Sequence, residues 1–137
     1  MDKYLSQSEL VRPIVARLFP QKENVEDSKV PIYVNYSIPF SEVDKERIMI
    51  YDANALSPQY FLGDQDILRT QGVTIIVAHK DSKEAYNRSN LIMDFLTGVK
   101  QYGDIVSIRA IDDIEPIGFN SKKYYLYKCN FAITRIK

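Results

Sequence analysis

The sequence predicts an α+β fold: a mixed, mainly antiparallel β-sheet with two α-helices packed on it. Three observations carry that expectation. Two stretches repeat apolar residues at helical spacing. Between and after them lie short runs rich in β-branched and aromatic residues, which favour strands. The C-terminal stretch Lys123–Ile136 alternates along its length, as a ribbon with one wet face does.

The first helix is expected near Ser6–Phe19, where Leu10, Val11, Ile14, Val15 and Leu18 share one stripe. Ser6 or Ser8 suits its cap. Pro13 argues against a regular interior, and Pro20 marks the end. Gln21–Lys29 is polar and charged, hence a loop. Ile32–Tyr36, between Pro31 and Pro39, reads as a strand, and Arg47–Tyr51 as another. Asp52–Leu68 is the least regular segment and reads as a long loop holding Leu56 and Tyr60-Phe61-Leu62, which either form an apolar tip for a partner or fold back on the core.

Gly72–His79 is apolar on both faces and therefore a central strand. Asp81 and Glu84 have the spacing of a capping box. The helix they open carries Ala85, Ser89, Ile92, Leu96 and Val99 on one stripe, Phe95 beside it, and a stop near Gly98 or Gly103. Ile105–Ile111 alternates, with Val106, Ile108 and Ala110 on one face. Asp112–Pro116 interrupts the pattern, and Phe119–Lys122 reads as a turn. In Lys123–Ile136, residues Tyr125, Tyr127, Cys129, Phe131 and Ile133 share a face. The expected order is α-β-β-(loop)-β-α-β-β, in one domain spanning 1–137.

Composition limits the function. The chain has 18 basic and 18 acidic side chains and a net charge of zero, so the cationic surplus that phosphate backbones demand is absent. Cys129 is the single cysteine and His79 the single histidine, too few for a disulfide framework or the usual zinc site. No apolar run approaches membrane-spanning length, and Met1-Asp2-Lys3-Tyr4 lacks a signal-peptide pattern, so a reducing compartment is expected.

Chemistry is sparse. His79 at a strand end is a general-base candidate with no nucleophile in view, and a structural role is expected. Asp112, Asp113 and Glu115 lack the spacing of a calcium loop and read as a solvated turn, as do Asp64 and Asp66. Cys129 falls on a buried face. Phosphate-binding glycine loops and nucleophile elbows are missing. No catalytic residue, cofactor or metal is expected. Among ten tyrosines, Tyr124, Tyr125 and Tyr127 could stack nucleobases or anchor a protein interface, balanced charge favouring the interface, while the plainest account is strand-forming aromatics, half of them core. The candidate interface residues are Leu56, Tyr60, Phe61, Leu62 and Tyr124.

An ordered set of features covers roughly residues 70–134. The strand Gly72–Ala78 leads into a helix with Glu84-Ala85-Tyr86 near its start and Ile92 and Phe95-Leu96 near its end. Ile114-Glu115-Pro116-Ile117-Gly118-Phe119 follows, and the chain closes on Tyr125-Leu126-Tyr127-Lys128-Cys129-Asn130-Phe131-Ala132-Ile133. This pattern resembles the tail-terminator and minor capsid proteins of tailed bacteriophages. At the final turn, where that family often has a Gly-Arg pair, this chain has Ser121-Lys122-Lys123.

The resemblance implies an α+β subunit that does no covalent chemistry. It implies a ring, typically a hexamer, that caps the tail tube, stops its growth and meets the head connector. The implied partners are the chain itself, the tail-tube protein and the connector or head-completion proteins. DNA would only pass through the ring, in the virion or the host cytoplasm during assembly. Exposed strand edges and the Asp52–Leu68 segment would serve as docking elements. Another head-completion or tail-tube subunit, or an unrelated cytosolic ligand- or RNA-binding module, are the alternatives.

Overall fold

A computed structural model describes residues 5–19, 30–36, 38–53, 60–62 and 66–136, with the backbone alone described for 60–62 and 66–68. Two helices and eight strands make up the described chain, which is α+β. They run α1 (Gln7–Ala16), β1 (Ile32–Val34), β2 (Arg47–Ala53), β3 (Tyr60–Leu62), β4 (Asp66–His79), α2 (Ser82–Leu96), β5 (Lys100–Tyr102), β6 (Ile105–Ala110), β7 (Glu115–Phe119) and β8 (Tyr125–Ile136). A short 3-10 turn, Phe40–Glu42, lies between β1 and β2.

One sheet holds all the strands in the order β1-β2-β4-β8-β6-β5, with β3 added to β4 and β7 added to β8. Its axis is the antiparallel β4–β8 pair, in register from Leu68↔Ile136 to His79↔Tyr125. β2 and β3 share the outer side of β4, while β6 and β7 share the outer side of β8. β1 runs parallel to β2, which makes the sheet mixed.

Side-chain alternation divides the sheet into two faces. Ile48, Ile50, Val73, Ile75, Val77, Cys129, Phe131 and Ile133 point to the side where both helices lie, and they form the main core with Leu10, Val11, Ile14, Val15, Ile92 and Leu96. Burying each such side chain contributes roughly 1.5–3 kcal/mol. At one end of this face the Arg135 guanidinium is fully buried. It donates to Asp104 Oδ2 at 2.8 Å, to the Leu5 carbonyl at 2.9 Å and to Gln71 Oε1 at 3.2 Å.

The opposite face carries no helix. Near its upper end, where β4 finishes and β8 begins, Met49, Ile76, Ala78, Tyr124 and Leu126 form a second cluster closed by Val43. The chain around the 3-10 turn is its lid. Asn120 clasps that lid, its Nδ2 donating to the carbonyls of Phe40 (2.6 Å) and Val43 (2.8 Å). The same side chain's Oδ1 accepts from the backbone N–H groups of Lys122 and Tyr124, both at 3.0 Å, and so also shapes the β7–β8 turn. Toward the lower end the face turns polar, with Thr74 donating to Asn130 and Thr70 meeting Thr134.

Several local expectations need correction. The capping box closes α1 rather than α2: Ser6 accepts from the Glu9 N–H while Glu9 accepts from the Ser6 N–H. At α2, Asp81 caps the N–H of Lys83, and Glu84 turns to Arg88 instead. Pro13 sits inside α1 on its exposed side, where a missing backbone donor is tolerated. The supposed loop Asp52–Leu68 contains the end of β2, all of β3 and the start of β4. Glu115–Phe119 is a strand, so the expected interruption is confined to Ile111–Ile114 and the expected turn to Asn120–Lys123. In β6 a bulge between Ile105 and Ser107 resets the alternation, so the buried residues are Ile105 and Ile108, with Val106 half-buried.

Candidate protein-interaction surface

The first residues of β8 keep the alternation that builds the core, but Tyr125 and Tyr127 are covered only in part, Tyr127 by the first turns of α2. Ala85 and Ser89, both buried, seal the sheet below that point. Above it, Tyr125 and Tyr127 are only half-buried, and two further aromatics join them. Phe119, the register partner of Tyr125, stacks on it with ring centroids 5.2 Å apart and planes 21° apart. Tyr86, from the first turns of α2, meets Tyr127 edge-on at 5.6 Å. The Tyr127 hydroxyl lies 3.2 Å from Ser82 Oγ, which fixes its ring. Pro116 stands opposite Tyr127 on β7. The result is an aromatic shelf beside the start of α2. Phe119, at 60% exposure, is the most exposed large apolar side chain among the described residues, and Tyr86 is 46% exposed. Rigid aromatics with wet edges are the side chains that anchor protein contacts.

Around the corner, Phe40, Ser41, Ile117, Gly118, Phe119 and Leu126 line a groove of about 270 Å³ between the 3-10 turn and β7. A second hollow, about 210 Å³, lies on the lower helix-free face against Gly72, Thr74, Asp112 and Asn130.

The sequence-derived candidates fare unequally. Tyr124 is 9% exposed and belongs to the second cluster, so its ring is core rather than free surface. It lies on the opposite face from Tyr125 and Tyr127, which also breaks up the three-tyrosine stacking platform. Tyr60, Phe61 and Leu62 form β3 against Leu68, Ile67 and Asp66, and their side chains lie outside the described residues. Leu56 lies outside them entirely, as does Asp64. Phe119 and Tyr86 were not on the candidate list. The signal for Phe119 was a strand-compatible aromatic directly before the β7–β8 turn, masked by Pro116 and Gly118.

His79 is part of a structural clasp. Its Nδ1 accepts from the Asp81 N–H at 2.9 Å, and its Nε2 lies 3.1 Å from Glu46. Glu46 also receives Arg88 at 3.0 Å, so one carboxylate joins the entry to β2, the end of β4 and α2. Cys129 is fully buried; burial pushes its thiol up to about 11, against a smaller opposing hydrogen bond from Ser89. Asp112 accepts from Asn130 Nδ2, and Glu115 pairs with Lys128 at 3.5 Å. Among the described residues no three His, Cys, Asp or Glu side chains group as metal ligands, and no helix is long and apolar enough to cross a membrane.

The sheet edges are guarded rather than open. β1, β3 and β5 have three residues each. Asn35 ends β1 at φ 52°, and Gln101 bends β5 at φ 57°. β7 carries Pro116 and a bulge before Gly118. Short strands, proline and bulges all discourage strand addition. No family model matches the chain, and no curated protein matches it.

Proposed function

We propose that this chain is a structural assembly subunit of a tailed bacteriophage. It forms a ring, a hexamer, that caps the tail tube, ends its polymerisation and joins the tail to the head connector. The observation that carries this reading is the partly exposed aromatic shelf that Phe119, Tyr125 and Tyr127 form with Tyr86 of α2. Such a surface suits a contact between copies in which one face of a subunit meets a different face of the next. The resemblance over roughly residues 70–134 adds support, because its segments are β4, α2, β6, β7 and β8, which adjoin one another in the fold. The subunit does no covalent chemistry; its partners are its own copies, the tube protein and the connector. It acts in the virion and, during assembly, in the host cytoplasm.

Native mass spectrometry tests this, on the purified chain alone and mixed with the tube protein of the same genome. Closed oligomers, hexamers foremost, are expected, and Tyr86→Lys should disperse them without lowering the thermal midpoint. Monomers under every condition, or oligomers indifferent to Tyr86→Lys, sink the reading.

A further inference from the structure

We propose that the flank of α2 carrying Leu91 and Phe95 receives the aromatic shelf of the next copy of this chain. This rests on the reading of the shelf as a subunit contact and names the surface that the shelf meets. A contact in which one face meets a different face needs two patches. In a ring both are occupied on every subunit at once, so they must lie apart.

Tyr86 marks the shelf side of α2. Leu91 and Phe95, 46% and 40% exposed, are the other exposed large apolar side chains of this helix. At about 100° per residue they lie about 140° and 180° around the helix from Tyr86. They stand at i and i+4, so they neighbour each other in one stripe. Arg88 shares their flank, its guanidinium 5.9 Å from the Phe19 ring centroid, so the end of α1 borders the stripe. Leucine and phenylalanine bury large apolar area against aromatic rings, which is what the shelf offers.

Each patch also carries one charge that the subunit itself does not use. Lys83 stands three residues before Tyr86, and Asp94 three residues after Leu91, so each is a same-face neighbour of its patch. Both are exposed, and neither forms an ion pair among the described residues. Both sit at the unfavourable end of α2. The helix dipole disfavours a cation in the first turn and an anion in the last, and no basic residue of the last turn offsets Asp94. Charges that weaken the isolated helix find their use across the contact. Lys83 of one copy meets Asp94 of the next when the shelf seats on Leu91 and Phe95.

A charge exchange tests this, read by native mass spectrometry and sedimentation on the full chain, alone and with the tube protein. Lys83→Glu and Asp94→Lys should each weaken association about tenfold, because each sets like charges against one another. The doubly exchanged chain should regain native association. Leu91→Ser/Phe95→Ser should abolish oligomers and leave the fold intact. Asp94→Lys should also raise the thermal midpoint of the dilute monomer by roughly 1–4 °C, as a helix end relieved of a misplaced charge does. Oligomers that dissolve with Tyr86→Lys but ignore the Leu91, Phe95 and charge variants overturn this proposal alone. So does a double exchange that fails to recover, or a midpoint that falls with Asp94→Lys. Monomers of the native chain under every condition overturn the proposal and the shelf reading together.

Discussion

The two faces of this one sheet are stabilised in different ways. On the helix side, β2, β4, β6 and β8 offer long aliphatic rows to two helices, and the core between them is continuous. On the other side the apolar cluster is small, and a stretch of chain with one 3-10 turn is its cover. That cover is held mainly by hydrogen bonds to Asn120 rather than by a stripe of its own. A face built from periodic elements buries itself. A face closed by irregular chain depends on a few polar clasps, and it is the one that leaves grooves.

Four measurements can break or sharpen that contrast. The largest effect is expected at the helix-face end, where Arg135→Ala leaves the Asp104 carboxylate without its cation. A loss of about 3–5 kcal/mol in chemical denaturation is expected, and a loss below 1 kcal/mol would show that this pair is not a structural anchor. Leu126→Ala, in the smaller cluster, should cost about 2–3 kcal/mol, since irregular chain can collapse partway into the space. A cost equal to the Arg135 variant's would erase the difference between the faces.

Asn120→Ala should cost about 1–3 kcal/mol by orphaning the lid carbonyls. It should also speed proteolysis at residues 38–46 far more than elsewhere; uniform sensitivity would mean that the lid has other supports. The smallest effect concerns acid. Burial raises the Asp52 carboxyl, but donors from the Ser8 backbone, the Ser8 and Ser6 hydroxyls and Asn35 outweigh it and hold the group below its ordinary value. A depressed value stabilises the fold above the unfolded-state pKa, and that share is lost as pH falls through the depressed one. Asp52→Asn should therefore flatten the acid limb of a melting-temperature profile; an unchanged limb would contradict the assignment.

Much of the fold was legible because burial on both faces leaves a strong imprint. Val73–Ala78 reads as a central strand since all its side chains but Thr74 are buried, and Cys129, Phe131 and Ile133 of β8 share the core face as their alternation implies, while Leu126 and Ala132 on the expected wet face are buried too. What was hidden has local causes. The three-residue strands β3 and β5 are too short for periodicity to register. β7 contains Pro116 and Gly118, residues that usually end strands, and it survives as an edge because its missing donor and its bulge cost little there. The bulge in β6 exchanges which residues point inward, an event no alternating pattern announces. Tyr124 entered the interface candidates although it is buried, because a one-residue step along a strand exchanges core for surface. Tyr124 went inward beneath the lid, while Tyr125 went out to Phe119.

The central ladder also has a consequence in time. Its two strands are remote in sequence: Thr74 meets Asn130 across 56 positions, and Thr70 meets Thr134 across 64. During synthesis β4 must wait until Tyr125–Ile136 has emerged before its partner exists, and contacts of such span slow folding. Until then an apolar strand stands with one flank unpaired, at the stage when a nascent polypeptide is most exposed to its neighbours. A premature stop before β8 would thus abolish the fold's axis rather than trim its margin, and the growing chain is most in need of shelter between the emergence of β4 and that of β8.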